Sequence, residues 1–418
     1  MKHKRQKKQV VVLSQFYTPE PQRIASTIAR ELDGRGYSVR VVTGYPNRPE
    51  GKLYSGYKQR FRFTEEIDGI TVHRVPLITN YSRKALERIA NFLTFSLSAL
   101  TVTSKIKDAD VVYVYGTPAT AAIPAQIWQK LLGIPYIVHV QDLWPESVTD
   151  SGMVNGGLVK RIDALLKPWL KRLYGNAAGN IAISPGMKNV LVDRGNDPDR
   201  CSVVYNWAVE SSIRVKDSAA FSDGGLNLLY AGNLGAFQDL ETVIAAARRF
   251  QEDQDFSLEL AGGGNQEQSL REAAHGASNI RFLGRLSKTE VADKYLKADF
   301  QLVTLKDLPI FRATIPSKLQ ASLAAGVPVI TTVQGDVAQL ITDHQAGIVA
   351  EPENVESIFR AFKKAQAMTR AERAQMGANA RKLYLEHMSQ ASAMNQIESI
   401  LQQTTHGALT PTPLKESS

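Results

Sequence analysis

The sequence predicts an α/β protein made of two doubly wound, Rossmann-like domains that face each other across a cleft. Short apolar runs alternate with segments of helical periodicity along the chain, a pattern typical of parallel strands joined by crossover helices. The pattern starts afresh after residues 206–222, a polar and weakly periodic stretch that we interpret as a linker. A length of 418 residues also favours two or three domains over one.

Seven apolar runs predict the strands of a first domain, which we place at residues 1–205. Helices are expected between them, and Ile24, Ile28 and Leu32 form one apolar stripe of such a helix. The predicted strands lie near residues 10–13, 38–43, 71–75, 111–115, 135–140, 180–183 and 201–205.

The second domain is predicted at residues 206–385, with a C-terminal helix beyond it. We expect one last helix at about 381–403, of which 386–403 packs back on the first domain. Residues 404–418 are polar, contain two prolines and are expected to be disordered. The strands of this domain are predicted near residues 226–231, 257–261, 280–283, 300–303 and 328–332.

The composition narrows the possible partners and cofactors. A net charge of +9 suggests nucleic acid, an anionic membrane surface or a phosphorylated ligand. The single cysteine, Cys201, excludes an internal disulfide and a cysteine metal cage, which fits a reducing cytoplasm. The seven histidines show no ligand spacing, so we expect no metal. No run of 18 apolar residues occurs, so no membrane-spanning helix is expected.

Residues 314–332 (TIPSKLQASLAAGVPVITT) form the most informative stretch of the chain. Pro316 ends an extended segment, Ser317 can cap a helix, and Gly326 can stop that helix before a buried strand. Arg312 and Lys318 lie at the start of this helix.

No Asp or Glu occurs between Asp307 and Asp336, so the sequence offers both cations without a neighbouring acid. Free N–H groups and a partial positive charge at a helix N-terminus favour anions. We therefore predict a diphosphate site here. The alternative is an ordinary loop, helix and strand with a solvated Lys318.

Three further groups of residues follow predicted strands. Gly232, Asn233 and Gly235 follow the first strand of the second domain, and 262–264 is a run of three glycines after the next. Glycines allow close approach to a ligand, although a tight turn without a ligand explains them about as well.

In the first domain, His139 and Asp142 lie at the end of a strand, followed by Glu146. A strand's carboxyl end favours a site. Asp142 could instead be a helix cap, with Trp144 a core residue.

Seven ordered segments carry a family resemblance. They are 43–51 (TGYPNRPEG), 141–147 (QDLWPES), 184–186 (SPG), 205–207 (YNW), 231–238 (AGNLGAFQ), 311–326 (FRATIPSKLQASLAAG) and 335–336 (GD). With these segments the chain resembles, from about residue 10 to about residue 400, the family 4 retaining glycosyltransferases of the GT-B fold. It is more similar to bacterial members acting in exopolysaccharide, colanic-acid and O-antigen assembly, including fucosyl- and acetylfucosaminyl-transferase-like enzymes.

The chain departs from the family pattern in its charged residues. Much of the wider family has two glutamates about eight residues apart, where this chain has Ala313 and Ala321. Many members have an Arg and a Lys where Asn233 and Gln238 stand here. The paired glycines of the first-domain phosphate loop are replaced by residues 19–23 (PEPQR). Arg312 and Lys318 would then supply the positive charge.

The resemblance implies transfer of a sugar from a nucleotide diphosphate with retention of the anomeric configuration, without a metal or other cofactor. Arg312, Lys318 and backbone N–H groups would hold the phosphates, and the departing phosphate would take the acceptor's proton. The residues expected to contact the reacting groups are Arg312, Lys318, Asp142, His139 and Glu146, and those expected to bind the nucleotide sugar are Gly232, Asn233, Gly235, Gln238, Gly263, Gly264, Ser317 and Gln320.

Two basic amphipathic segments indicate contact with an anionic membrane. Residues 82–104 combine Arg83, Lys84 and Arg88 with large apolar side chains, and 165–174 repeats the pattern. The alternative is that each helix only covers its own sheet. We expect a cytoplasmic enzyme bound peripherally to the inner face of the membrane, with a lipid-linked saccharide acceptor.

Two other functions fit parts of the sequence. A sugar-nucleotide epimerase or hydrolase could use the same two-domain fold. A nucleic-acid binder is suggested only by charge, because the cations are dispersed and no basic run is interleaved with aromatics, so no nucleic-acid partner is expected.

Overall fold

The structure is a computed structural model of the chain that describes residues 7–21, 23–79, 85–144 and 156–405. The described residues divide into two compact units. The first contains the residues up to Val204 and those from Met394 onward, and the second is Tyr205–Ala393.

The first unit is built on an eight-stranded sheet. Its strands β1 and β5 are almost fully buried, because helices cover both faces of a parallel sheet. The strand order is β3-β4-β2-β1-β5-β6-β7-β8, in which only the pair β3 and β4 is antiparallel. The strands are β1 (Gln9–Ser14), β2 (Ser38–Gly44), β3 (Phe63–Ile67), β4 (Ile70–Val75), β5 (Val111–Gly116), β6 (Tyr136–Val140), β7 (Gly179–Ala182) and β8 (Cys201–Val203).

The helices of the first unit follow the predicted apolar stripes. Ile28 and Leu32 of the first helix are fully buried. Ser184 caps the start of the fifth helix, where its side chain accepts a hydrogen bond from the Met187 N–H at 3.1 Å. These helices are α1 (Ile24–Gly34), α2 (Ala85–Ala99), α3 (Ile123–Leu132), α4 (Gly156–Gly175) and α5 (Pro185–Asp193).

The second unit contains a six-stranded parallel sheet in the order β11-β10-β9-β12-β13-β14. In both sheets the first strand of the unit lies inside the sheet, and the chain winds outward to both sides from it. This arrangement confirms the predicted fold class of two Rossmann-like sheets. The strands are β9 (Leu226–Ala231), β10 (Phe256–Ala261), β11 (Ile280–Gly284), β12 (Phe300–Val303), β13 (Val329–Thr331) and β14 (Gly347–Val349).

Eight helices of the second unit pack around this sheet in the described part of the chain. Leu319 and Leu323 of the fifth of them are fully buried, and Gly326 ends that helix with φ of 71°. The helices are α6 (Leu240–Arg248), α7 (Glu267–Ala273), α8 (Lys288–Lys297), α9 (Pro309–Arg312), α10 (Ser317–Ala325), α11 (Asp336–Asp343), α12 (Val355–Ala367) and α13 (Arg370–Leu383).

The C-terminal helix differs from the prediction of one continuous helix at 381–403. Helix α13 runs into a π-helical turn (Tyr384–Met388), and α14 (Gln390–Thr405) then begins. Ser389 separates the two because its backbone is extended and its Oγ accepts the Ser392 N–H at 3.1 Å, which caps α14. Glu398 of α14 pairs with Arg35 of the first unit at 2.6 Å. The division between the units falls inside α14, at Met394.

Candidate active site

The second sheet reverses its strand order between β9 and β12, the position at which open parallel sheets bind their ligands. The loops that follow these two strands are joined. The Lys306 N–H donates to the Phe237 carbonyl at 3.0 Å, and the Thr304 hydroxyl donates to the Gln238 carbonyl at 2.7 Å. Residues 232–239 and 304–308 therefore form one continuous rim at the carboxyl ends of the strands.

The glycines of this rim are needed first for backbone packing. A Cβ atom added to Gly262 would lie 1.8 Å from the Gly232 carbonyl oxygen, and Gly262 has φ of 143°. A Cβ added to Gly264 would lie 2.2 Å from the Leu234 oxygen. The Leu234 N–H also donates to the Gly263 carbonyl at 3.1 Å. The loops after β9 and β10 thus touch through their main chains, which explains the glycines without a ligand.

Lys318 extends from the first turn of α10 into this rim. Its Nζ donates to the Gln238 Oε1 at 2.7 Å and to the Tyr230 hydroxyl at 2.8 Å, and it lies 4.1 Å from the centroid of the Tyr230 ring. A Cβ added to Gly232 would lie 3.3 Å from the same Nζ. The ammonium group therefore sits directly against the glycine loop after β9.

The charge of Lys318 is not balanced by a carboxylate among the described residues. Both hydrogen-bond partners, Gln238 and Tyr230, are neutral. Burial lowers the pKa of Lys318 from 10.5 to about 7. The predicted absence of an acidic partner is thus correct for Lys318 within the part of the chain that the structure covers.

The same expectation is wrong for Arg312. Its Nε and Nη2 donate to the two carboxylate oxygens of Asp307 at 3.0 and 2.7 Å. The Arg312 guanidinium holds the pKa of Asp307 below its usual value. The pair is solvent-exposed, with 58% of the Arg312 side chain accessible, so it is easily opened. The four intervening residues, 308–311, fold into a loop and most of the short helix α9 and bring the two side chains together.

The start of α10 also differs from the prediction in one detail. Ser317 was expected to cap the helix, but Pro316 occupies the cap position and no side chain caps the first turn. Ser317 is instead the first helical residue and is exposed. An uncapped first turn leaves backbone N–H groups available to an anion.

The other residues of the second unit that were predicted to bind the nucleotide sugar differ in how far they are buried. Asn233 is exposed at the end of β9, and its carbonyl accepts a hydrogen bond from the Tyr230 hydroxyl at 2.6 Å. Gly235 is buried next to it, where an added Cβ would lie 2.4 Å from the Asn233 Nδ2. Gln320 is only 4% exposed on α10, so its side chain lies deeper than the loop residues.

Three side chains at this rim, those of Tyr230, Phe237 and Arg285, had no role predicted from the sequence. Tyr230, the penultimate residue of β9, positions both Lys318 and Gln238. Phe237 is 46% exposed and packs edge to face on Phe311 with centroids 5.8 Å apart. The signal that could have located these residues is their position at the end of β9 or in the loops after β9 and β12, on the two sides of the switch point.

A third such side chain approaches the glycine run. The Arg285 Nε would lie 3.1 Å from a Cβ on Gly263, and Arg285 directly follows β11. It brings a guanidinium to the glycine loop that was expected to receive the nucleoside.

In the first unit, His139 is a core residue. None of it is exposed, its Nδ1 is 2.7 Å from the Tyr113 hydroxyl, and its ring packs edge to face on Tyr115. Burial lowers its pKa to about 3, so the ring is neutral. The expectation that His139 faces a sugar is therefore wrong for this structure, because β6 carries its side chain inside the sheet packing.

Asp142 is placed at the carboxyl end of β6, as its sequence position suggested. The residue is exposed, yet burial of its carboxyl raises its pKa, while Thr117 and the positive charge of Arg48 act in the opposite direction. Asp142 and Arg48 follow different strands of one sheet. Glu146 lies outside the described residues.

Arg48 is held in place by a buried carboxylate. Glu20, 4% exposed, accepts hydrogen bonds from the N–H groups of Asn47 and Arg48 at 2.9 Å and of Tyr17 at 3.2 Å. The Arg48 guanidinium lies 4.5 Å from the Phe16 ring centroid. The loops after β1 and β2 thus fix a cation on the sheet edge that carries Asp142.

The structure describes part of the segment 82–104, which the sequence predicted to contact a membrane. Arg83 and Lys84 lie outside the described residues, whereas α2 shows two apolar faces. Phe95 is fully buried, but Ile89, Leu93 and Leu97 are 36%, 41% and 63% exposed. In the residues that the structure covers, no helix is both long and apolar enough to cross a bilayer.

The segment 165–174 lies on α4 and borders a cavity. The cavity has a volume of about 410 Å³. It is lined by Lys167, Pro168, Leu170, Lys171, Tyr174, Arg194 and Asn196.

Comparison with known protein families matches both units. Residues 21–207 match the model of a glycosyl transferase 4-like domain, and residues 213–383 match the model of glycosyl transferases group 1. Together the two matches span most of the chain.

A relative and two solved structures agree with this assignment. WcaI of Escherichia coli K12, named for glycosyl transfer in colanic acid biosynthesis, is 24% identical over 85% of this chain and 91% of its own. Sucrose-phosphate synthase from Thermosynechococcus elongatus has a TM-score of 0.70 at 15% identity, covering 95% of this chain and 99% of its own. HepE of Anabaena, solved with UDP, has a TM-score of 0.66 at 13% identity, covering 95% and 100%.

Proposed function

The chain belongs to the family 4 glycosyltransferases of the GT-B fold and exopolysaccharide type, and from this premise we propose that it is a retaining enzyme of cell-surface polysaccharide synthesis. It would move a sugar from a nucleotide diphosphate to a lipid-linked saccharide. The observation that carries the proposal is Lys318, an ammonium group without a carboxylate partner among the described residues, set against a glycine loop at the switch point of the second sheet.

The donor's diphosphate would bind between Lys318 and the uncapped start of α10. Burial that lowers the Lys318 pKa disfavours its charge in the free protein, and a dianionic ligand would restore it. Arg312 would exchange its exposed carboxylate partner for a phosphate oxygen. Fixed cations and helix N–H groups would stabilise the negative charge that develops on the diphosphate as the glycosidic bond breaks.

The nucleoside and sugar would lie along the rim of the second sheet. The Gly263 and Gly264 backbone would face the nucleoside with Gln320 beneath it, and Asn233, Gly235 and the neighbouring main chain would contact the phosphates. The departing phosphate would take the acceptor's proton, so retention would need neither a separate base nor a metal.

The first unit would supply the acceptor side. Asp142 at the end of β6 would face the acceptor with its carboxylate, and the cation of Arg48 lies on the same edge of the sheet. His139 would position this edge from within the core rather than touch the sugar.

Membrane association would bring the enzyme to its acceptor. The exposed side chains Ile89, Leu93 and Leu97 recur every four residues and form one stripe on α2, which covering its own sheet does not require. The lysines and Arg194 around the cavity beside α4 would attract anionic headgroups or the acceptor's diphosphate. We place the protein on the cytoplasmic face of the membrane.

Product analysis tests the proposal. Candidate nucleotide sugars are incubated with the full chain and a lipid extract, and the products are separated and their anomeric configuration is determined by NMR. We expect a new glycolipid with the donor's configuration. Release of free sugar, an epimerised nucleotide sugar, or an inverted linkage would contradict it.

A further inference from the structure

Three possible metal ligands converge on one surface of the second unit, although the histidines show no ligand spacing in the sequence. One ligand atom from each of His344, Glu386 and His387 lies within 4.8 Å of the other two. The two imidazole rings meet edge to face with centroids 5.2 Å apart. Elsewhere in the part of the chain that the structure describes, no other three potential ligands lie this close together.

The elements that carry these ligands are packed together. His344 directly follows α11, and Glu386 and His387 lie in the π-helical turn after α13. Ile341 of α11 and Met388 of the turn belong to the same buried hydrophobic cluster. The helix and the turn that carry the ligands are therefore held together by a common core.

Hydrogen bonds fix the same two elements. The Tyr384 hydroxyl and the Gln390 N–H both donate to the Glu210 Oε1, at 2.7 and 2.8 Å. The Asn379 Nδ2 donates to the Gln345 carbonyl at 3.3 Å, which links α13 to the residue after His344. The backbone on both sides of the cluster is thus tied down before any ion binds.

The donor set selects the kind of ion. Two imidazoles and one carboxylate suit Zn²⁺, and also Ni²⁺ or Cu²⁺, better than Mg²⁺ or Ca²⁺, which prefer oxygen ligands. Bonds of about 2.05 Å in a tetrahedral site place ligand atoms about 3.4 Å apart. The ligands must therefore approach from separations of up to 4.8 Å. All three side chains are partly or fully exposed, so rotation can close this gap and water can complete the coordination.

Lys382 forms an ion pair with Glu386 of the cluster. Its Nζ lies 3.9 Å from the Glu386 Oε1, with 73% and 49% of the two side chains exposed. An exposed pair of this length contributes little to stability. Zn²⁺, with two charges and two imidazoles beside it, would displace this lysine.

We propose that His344, Glu386 and His387 form a zinc-binding site that ties the turn after α13 to the end of α11. The site is independent of the proposed sugar transfer. Helix α11 has eight residues, so its ends are about 12 Å apart. Its opposite end lies near Arg312, because a Cβ on Gly335 would be 2.3 Å from the Arg312 oxygen. The ion therefore stabilises the second unit and takes no part in the chemistry.

Zinc titration of the full chain tests this site. The protein is freed of any histidine tag, stripped with a chelator and titrated with ZnCl₂ in a calorimeter, and its thermal unfolding is followed with and without zinc. We expect saturable binding of one ion per chain and a rise in Tm with zinc.

Substitutions locate the ion. His344→Ala and His387→Ala should each weaken binding at least about tenfold and abolish the zinc-dependent rise in Tm. Without zinc, both should unfold at the temperature of the parent, because the altered side chains reach the surface. His275→Ala removes an exposed histidine of the same unit and should change nothing.

Two results would overturn the proposal. One is the absence of saturable zinc binding to the parent. The other is equal binding by the parent, His344→Ala and His387→Ala, which would place the ion on other histidines. Substituting Co²⁺ for Zn²⁺ gives a second readout, because its visible absorption should report coordination by nitrogen ligands in the parent and in His275→Ala and be lost in the two cluster variants.

Discussion

Replacing Lys318 by methionine should stabilise the ligand-free protein at pH 6. Methionine retains the length of the side chain and removes its charge. The Tyr230 hydroxyl keeps an acceptor for its single proton, because the Asn233 carbonyl and the Gln238 Oε1 lie 2.6 and 3.0 Å from its oxygen. The substitution therefore isolates the penalty for holding an ammonium group at this position.

The magnitude follows from the pKa of Lys318. A fall from 10.5 to about 7 corresponds to about 5 kcal/mol at about 1.4 kcal/mol per pH unit. This energy is an upper limit on the penalty for holding Lys318 in its charged form, because the Tyr230 ring and Gln238 both favour that form. We expect the variant to gain at least about 2 kcal/mol at pH 6, which is about 4 °C or more in Tm for a domain of about 150–250 residues.

The sign of the pH dependence is also determined. Below pH 7 the lysine is protonated in both the folded and unfolded states, so the parent carries the full penalty. Between pH 7 and 10.5 the unfolded state binds more protons, and the stability of the parent rises relative to the variant. The difference in Tm between Lys318→Met and the parent should therefore be largest at pH 6 and decrease at pH 9.

Thermal unfolding of both proteins at pH 6 and 9 provides the assay. Lys288→Met is the matched control, because Lys288 also lies in the first turn of a helix but is exposed. The control should match the parent at both pH values. The reasoning is refuted if Lys318→Met is less stable than the parent at pH 6, or if the difference does not change with pH.

Three further predictions concern the site and the surface. Asp142→Asn should lower turnover while leaving nucleotide affinity nearly unchanged; an equal loss of both would move Asp142 to the donor side. Arg312→Gln should weaken donor binding but leave Tm nearly unchanged, because its ion pair with Asp307 is exposed; calorimetry and thermal unfolding together check this. Sedimentation with anionic vesicles should show that the parent binds, and that this binding weakens in high salt without vanishing. The double variant Leu93→Ser, Leu97→Ser should bind less, whereas Leu131→Ser, which alters an exposed leucine on α3, should bind as the parent does. A parent that never sediments with the vesicles would contradict membrane contact.

The apolar runs predicted twelve of the fourteen strands that the described residues form, because a parallel strand buried on both faces is a continuous hydrophobic segment. The two missed strands lie at sheet edges. Strand β3 has the sequence FTEEI, in which two acids interrupt the apolar pattern, and β14 has only three residues. Their pairing depends on a neighbouring strand, which local periodicity does not reveal.

The candidate site could be located from the sequence but its contacts could not. A helix start with Lys318 is a local pattern, whereas its partners Tyr230 and Gln238 are 88 and 80 residues away. His139 is the converse case, because its local pattern suggested a site and its contacts place it in the core. A histidine near a strand end is as compatible with the core as with a ligand site, and only the packing of β6 against Tyr113 and Tyr115 decides between them.

The central claim is that Lys318 and the start of α10 bind the diphosphate of a nucleotide sugar. The most direct test is calorimetric titration of the parent, Lys318→Met and Lys288→Met with UDP, GDP, ADP, CDP and dTDP at pH 7. We predict that at least one nucleotide binds the parent and Lys288→Met equally, and that Lys318→Met binds it at least about tenfold more weakly, a loss of about 1.4 kcal/mol. Binding of no nucleotide by the parent, or equal binding by all three proteins, would contradict the claim.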